Sequence, residues 1–152
     1  MPLPRPKKLR FLIASGPTQE PLDPVRFISN YSTGIMGKYL VESAKKRGHS
    51  VEWVKCPDKA KTALDLQKKL SSLLHRNDVL IMAAAVADVR PASPSSSKIK
   101  KENLKSVSFV KNPDILAGLS KKKEKRTGVH RLWDRIAGHF EKRRQKNETK
   151  RP

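Results

Sequence analysis

The segment FISNYSTGIMG, residues 27–37, sets Asn30, Ser32, Thr33, Gly34 and Gly37 between apolar neighbours. Small polar side chains supply hydrogen-bond donors and acceptors, and glycines let a ligand approach the main chain. If a helix starts here, its free N–H groups favour an anion such as phosphate. The spacing fits neither the dinucleotide G-x-G-x-x-G pattern nor a P-loop. Taken alone, the segment reads equally well as a plain turn into a helix. A second segment, MAAAVADVRP, carries Ala83 and Ala84, small enough for a base or ribose to reach the backbone, and then Asp88, able to accept hydrogen bonds from ligand hydroxyls. The plain alternative there is a strand end followed by a solvated acid. A third, SSSKIKK, puts Lys98, Lys100 and Lys101 on a Pro/Ser-rich stretch. A lysine on such a flap can close over a phosphate and neutralise charge in a transition state; a solvated lysine cluster is the alternative. The four histidines lack metal-ligand spacing, so no protein-held metal is expected. His49 simply follows Gly48. The single cysteine, Cys56, excludes an internal disulfide or a multi-thiolate site, and with no base partner in the sequence it reads as structural.

These segments need elements to hold them. LRFLIASGP is a short apolar run closed by Gly-Pro, a buried strand. TQEPLDPVR contains two prolines and reads as a loop. Over residues 34–47, Met36, Leu40 and Ala44 recur four apart, with Gly37 and Val41 beside them and Lys38, Glu42, Lys45 and Lys46 opposite. That is an amphipathic helix, stopped by Gly48. SVEWVKC alternates as a strand. Thr62 caps a helix with the stripe Ala63, Leu66, Leu70, Leu73 and Leu74. DVLIMAAAVAD is a continuous apolar run, expected to be a central parallel strand buried on both faces. RPASPSSSKIKKEN is a loop or flap and SVSFV one more strand. Asn112 before Pro113 predicts a helix capped by Asn112 with the proline at its first position. The alternation argues a parallel α/β sheet with helices on its faces. Ligands of such sheets sit beyond the carboxyl ends of the strands, where residues 29–37 and 83–88 both arrive.

At 152 residues the chain holds one domain, or one domain and a tail. Its formal charge of +20 invites nucleic acid or an anionic surface, or else serves solubility and the attraction of small anionic substrates. No apolar run approaches the roughly 18 residues of a membrane helix. The opening MPLPRPKKLR leads into a short strand and does not read as a signal peptide. The lone cysteine suits a reducing cytoplasm.

Four stretches in order, ASGPTQEPLDPVRFISNYSTGIMG, AAAVADVRP, KIKK and KNPDIL, resemble the phosphopantothenate–cysteine ligase family of coenzyme A biosynthesis. Family members often form the second half of a bifunctional protein whose first half is a flavin-dependent decarboxylase. The family joins the carboxyl group of 4′-phosphopantothenate to the amine of cysteine, using CTP and Mg²⁺ in the bacterial type. The carboxylate attacks the α-phosphate and expels pyrophosphate; the amine of cysteine then displaces CMP from the acyl-cytidylate. A carboxylate is a poor acyl donor and a mixed anhydride a good one, so the protein mainly positions reactants and neutralises charge. The resemblance implies a catalytic set of Asn30, which holds the acyl-cytidylate, with Arg26 and Lys98. It implies a substrate loop of Ser32, Thr33, Gly34 and Gly37, and a cytidine pocket of Met82, Ala83, Ala84 and the acid Asp88. Lys98 would meet the triphosphate, and Pro113, Asp114, Ile115 and Leu116 would form a second nucleotide-contacting turn. It further implies a Rossmann-like parallel sheet with helices on both faces, a homodimer, a cytoplasmic location, and no flavin, because the decarboxylase half is absent. A small anionic substrate accounts for the charge, so nucleic acid is not expected as a partner. Where the family usually reads SSGKMG this chain has STGIMG, with Thr33 for Ser and Ile35 for Lys; Thr33 keeps the hydroxyl.

The resemblance divides the chain into a ligase-like domain, residues 8–126, and a basic tail, 127–152. In the family a strand reading roughly VGFAAET follows NPDIL, then a helix with nucleotide-binding lysines. Neither is readable here, so the sheet is expected to be incomplete at its C-terminal end. The tail places Val129, Leu132, Trp133, Ile136 and Phe140 as an apolar stripe in a basic helix, a surface-binding pattern. Yet residues 129–152, back-translated with permitted codons and shifted by one nucleotide, read FIGFGIESRDILKNADKKMKQKG. That string resembles the family's continuation. The tail is accordingly expected to be an out-of-frame product, loosely packed, with its charge and aromatics accidental. The alternatives are an inactive nucleotide-binding remnant and a basic binder of nucleic acid or anionic surfaces.

Overall fold

The computed structural model describes residues 8–124, and side chains only as far as residue 120. The tail expectation lies outside the described residues. The chain divides into two units, Met1–Leu119 and Ser120–Pro152, and the fold below is that of the first.

Three parallel strands form the main sheet in the order β4 (Ser50–Lys55), β1 (Arg10–Pro17), β5 (Val79–Ala85). Pleating sends alternate β1 residues to opposite faces. Leu12 and Ala14 join Val54, Leu66, Leu70 and Leu119 in one buried cluster, so α2 (Ala63–Leu73) and the start of α3 (Ile115–Glu124) cover that face. Ile13 and Ser15 point the other way, where α1 (Ile35–Lys46) packs. The Rossmann-like α/β sheet with helices on both faces is therefore present. Thr62 caps α2 through a full capping box with Asp65, and the predicted stripe of α2 is buried throughout.

Five expectations are corrected, the last of them on α1. First, β1 is the central strand: Leu12, Ile13 and Ala14 are completely buried, whereas every residue of β5 is only partly buried. A continuous apolar run reports contact on both faces, not rank within the sheet. Among the described residues β5 pairs with β1 alone, in the register Ile13–Ile81 and Ser15–Ala83, and its outer edge has no partner strand. Second, the proline-rich stretch is not a loop. It forms an antiparallel hairpin, β2 (Gln19–Asp23) with β3 (Arg26–Ser29), Pro21 standing opposite Phe27. A two-stranded ribbon has free edges, where a missing N–H costs no ladder bond. Third, SVSFV contributes only to β7 (Phe109–Lys111), which pairs antiparallel with the short β6 (Val89–Pro91) and closes residues 92–108 into a loop outside the main sheet. Fourth, α3 begins at Ile115, and Asp114 is its cap, accepting the Ala117 N–H at 2.8 Å. Asn112 is instead drawn toward β5, donating to the Ala87 carbonyl at 2.8 Å. On α1 the buried stripe is Gly37, Val41 and Ala44; Met36 is largely exposed. Among the described residues no helix is long and apolar enough to cross a membrane.

Candidate ligand cleft at the strand ends

At the carboxyl ends of β1 and β5 lies a cleft lined by residues 30–36 and Ala83. Thr18 braces its floor. This fully buried residue donates its N–H to the Ala85 carbonyl at 3.1 Å, while its hydroxyl accepts the Ala87 N–H at 3.0 Å. The Ser29 hydroxyl closes the hairpin onto the Thr18 carbonyl at 2.6 Å. The loop leaving β3 thus starts from a point tied to the ends of both β1 and β5. Asn30, one residue on, donates its amide to the Val86 carbonyl at 3.1 Å and is exposed on the cleft side.

Gly34 precedes α1 with φ of 70°, the left-handed region that suits glycine. A Cβ there would stand 3.1 Å from the Gly16 Cα, and one on Gly37 would stand 2.1 Å from the Ser15 Cβ. These glycines serve first to press the start of α1 against β1. The Ser15 hydroxyl is held from the other side by the Trp53 indole N–H at 2.7 Å. Gly34 offers α1 no side-chain cap, the Ile35 N–H meets only the Thr33 hydroxyl at 3.4 Å, and no acid stands in the first turn. Its leading N–H groups and the positive end of its dipole therefore favour an anion in the cleft.

Of the residues singled out in the sequence, the structure brings Asn30, Ser32, Thr33, Gly34 and Ala83 together around the cleft. Pleating sends the Met82 and Ala84 side chains to the opposite face, against the α2–α3 core. Asp88 is exposed just past β5 and does not line the cleft; its carbonyl accepts the Asn112 N–H at 2.8 Å. Ile115 is buried in the core, Asp114 caps α3, and Pro113 precedes that cap. Leu116 lies at the surface. Lys98, Lys100 and Lys101 are exposed on the 92–108 loop and likewise do not line the cleft. The Arg26 guanidinium does not line it either: it grips Asp23 at 2.5 Å and the Ile99 carbonyl at 2.8 Å. The Arg26 hydrogen bond, aided by the Ile99 and Val25 N–H groups, holds the buried Asp23 carboxyl far below the usual carboxylate range, against the opposing effect of burial. Burial pushes the Cys56 thiol up to about 11, so at neutral pH it is an unreactive packing group.

Sequence reasoning missed Tyr31, Ile35 and Met36 as cleft-lining residues, all exposed apolar side chains. Met36 had the spacing of a core residue. Only the packing of Gly37 on Ser15 shows that this side of the helix turns inward.

An open parallel sheet with an uncapped helix end over its carboxyl edge defines an α/β protein with a crevice-type ligand site. The chain belongs to the family described as the DNA/pantothenate metabolism flavoprotein C-terminal domain, which matches residues 7–131. It is 38% identical over 138 residues to the coenzyme A biosynthesis bifunctional protein CoaBC of Escherichia coli K12, covering 81% of this chain and 34% of that protein. To the protein of the same name from Borreliella burgdorferi it is 36% identical over 132 residues, covering 78% and 34%. The chain thus spans about a third of the length of these curated relatives. Among solved structures, the C-terminal domain of CoaBC aligns with a TM-score of 0.59 at 30% identity, covering 74% of this chain and 58% of that one. The DNA/pantothenate metabolism flavoprotein of Streptococcus pneumoniae aligns with a TM-score of 0.59 at 22% identity over 74% and 64%, a likeness of fold.

Proposed function

We propose that this chain is the ligase portion of a coenzyme A biosynthesis enzyme, joining 4′-phosphopantothenate to cysteine through an acyl-cytidylate made from CTP. The observation that carries the reading is the convergence of the Asn30 loop, the uncapped start of α1 and Ala83 at one strand-end cleft, in a member of this family. A phosphate-bearing acyl group fits the N–H groups of α1. The Asn30 amide can hold the mixed anhydride against the cysteine amine. Ala83 leaves room for a base beside β5, and the Asp88 carboxylate can accept from nucleotide hydroxyls. Lys98 supplies a cation for the β- and γ-phosphates. Mg²⁺ enters with the nucleotide substrate, bound to its phosphates. Ligation itself needs no flavin. As in the family, the working form is a homodimer.

The test is release of pyrophosphate from CTP. Release that depends on 4′-phosphopantothenate supports the ligase. CTP binding without release indicates the nucleotide-binding remnant. Binding of duplex DNA or anionic vesicles with no affinity for cytidine nucleotides rejects both.

We also propose that residues 127–152 are read out of frame. Among the described residues the outer edge of β5 has no partner strand, which favours this, since the shifted reading supplies a strand-like FIGFGIES in the place where the family has one.

A further inference from the structure

The 92–108 loop is long and mostly exposed, yet two of its residues are tied to the β2–β3 hairpin. The Ser95 N–H donates to the Leu22 carbonyl at 2.9 Å. Four residues on, the Ile99 N–H donates to Asp23 Oδ2 at 3.1 Å, and the Ile99 carbonyl accepts from Arg26 Nη2 at 2.8 Å. One residue is thus held by both its main-chain polar groups, by the two halves of one ion pair. The Asp23 side chain is completely buried and that of Arg26 is 33% exposed. Burying an ion pair brings a desolvation cost that apolar packing would avoid. Here its long-range bonds go to the main chain of an otherwise exposed loop, and the residues on either side of Ile99 are Lys98 and Lys100.

We infer that Asp23 is a positioning residue whose carboxylate, together with Arg26, latches the flap at Ile99 and so sets the place of its lysines. The Thr18–Ser29 bond fixes the hairpin to the sheet, and Asn30 follows directly from β3. The latch therefore puts the flap and the Asn30 loop on one rigid support, and Arg26 acts through Ile99 rather than on substrate. That these lysines meet nucleotide phosphates rests on the ligase reading; the latch itself does not.

The test compares the full chain with Asp23→Asn, and with Ile99→Pro, which removes the N–H donor and leaves the hairpin untouched. Amide hydrogen exchange is followed at Ser95, at Lys100 and in β1, and at residue 99 where it carries an N–H. Loss of a bond to a charged group predicts exchange around Ile99 faster by about tenfold or more, with β1 unchanged. Trypsin cleavage after Lys100 should rise in parallel in both variants, and after Lys98 in Asp23→Asn; in Ile99→Pro the bond after Lys98 precedes a proline and resists trypsin. The affinity advantage of CTP over CMP should shrink in both variants while CMP binding holds. Unchanged flap exchange in a folded Asp23→Asn chain overturns the latch. Faster exchange throughout β1 overturns it too, since the pair would then be a general stabiliser. A CTP advantage that survives a released flap overturns the positioning role. A parent chain with no CTP advantage sinks the ligase reading instead, and the exchange pattern alone then decides the latch.

Discussion

Two side chains carry most of the cleft's geometry, and they fail differently when altered. Thr18 is fully buried, and its hydroxyl is the acceptor for the Ala87 N–H. Thr18→Val keeps the volume and leaves that N–H without a partner, a loss of about 1–3 kcal/mol. A urea melt should register it as a lower midpoint with an unchanged slope; an unmoved midpoint would deny the brace. Asn30 is exposed and bonds only the Val86 carbonyl among the described residues. Asn30→Asp should therefore leave stability within about 0.5 kcal/mol, as surface changes usually do. In a chain competent for ligation it should lower product formation by about a hundredfold or more, because a donor is lost and a carboxylate faces the phosphates. Turnover equal to the parent's would remove Asn30 from the mechanism.

At the level of elements, the seat of α1 on β1 and the attachment of the flap decide the site. Gly37→Ala tests the first. Alanine favours a helix over glycine by about 1 kcal/mol, which on its own would stabilise α1. The new Cβ would fall 2.1 Å from the Ser15 Cβ, an atom that no side-chain rotation can move aside. Overpacking of this kind costs about 1–3 kcal/mol, so the net effect should be destabilising, with α1 displaced and the cleft distorted. A raised melting temperature would contradict that packing. Lys98→Ala tests the flap. A cation acting on the β and γ charges should matter more for CTP than for CMP. Calorimetry giving equal losses for the two nucleotides would count against the assignment.

For the molecule as a whole, the open edge of β5 and the basic tail bear on one question. Among the described residues β5 has seven half-buried positions and an unpaired outer edge, a liability in water. A following strand would cover them. The gene's nucleotide sequence is the direct measurement: one base added or removed near codon 128 should restore FIGFGIES and a lysine-bearing helix. The restored chain should be more soluble, dimeric by light scattering, and tighter for CTP. If the shifted frame encodes no such continuation, the tail is a genuine basic segment and the +20 charge needs another explanation.

Much of the architecture was legible in local pattern. The capping box at Thr62, the stripe of α2, the start of α1 after Gly34 and the glycine stop at Gly48 are signals written within a few residues, where backbone preference and periodicity act. The order of the four motifs was enough to point to the family. What the sequence by itself left open was every choice made between distant segments. Strand rank is set by which partners each strand finds, so β1 took the centre although β5 is the more continuous apolar run. Two prolines suggested a loop where a hairpin forms, because pairing depends on an opposite strand that local composition does not reveal. The inward face of α1 was decided by Ser15, and the partners of Arg26 by a flap residue 73 positions away. Local signals determine which elements form; long-range contacts, each formed only when the chain has closed, determine which side chains face the cleft and which hold it in place.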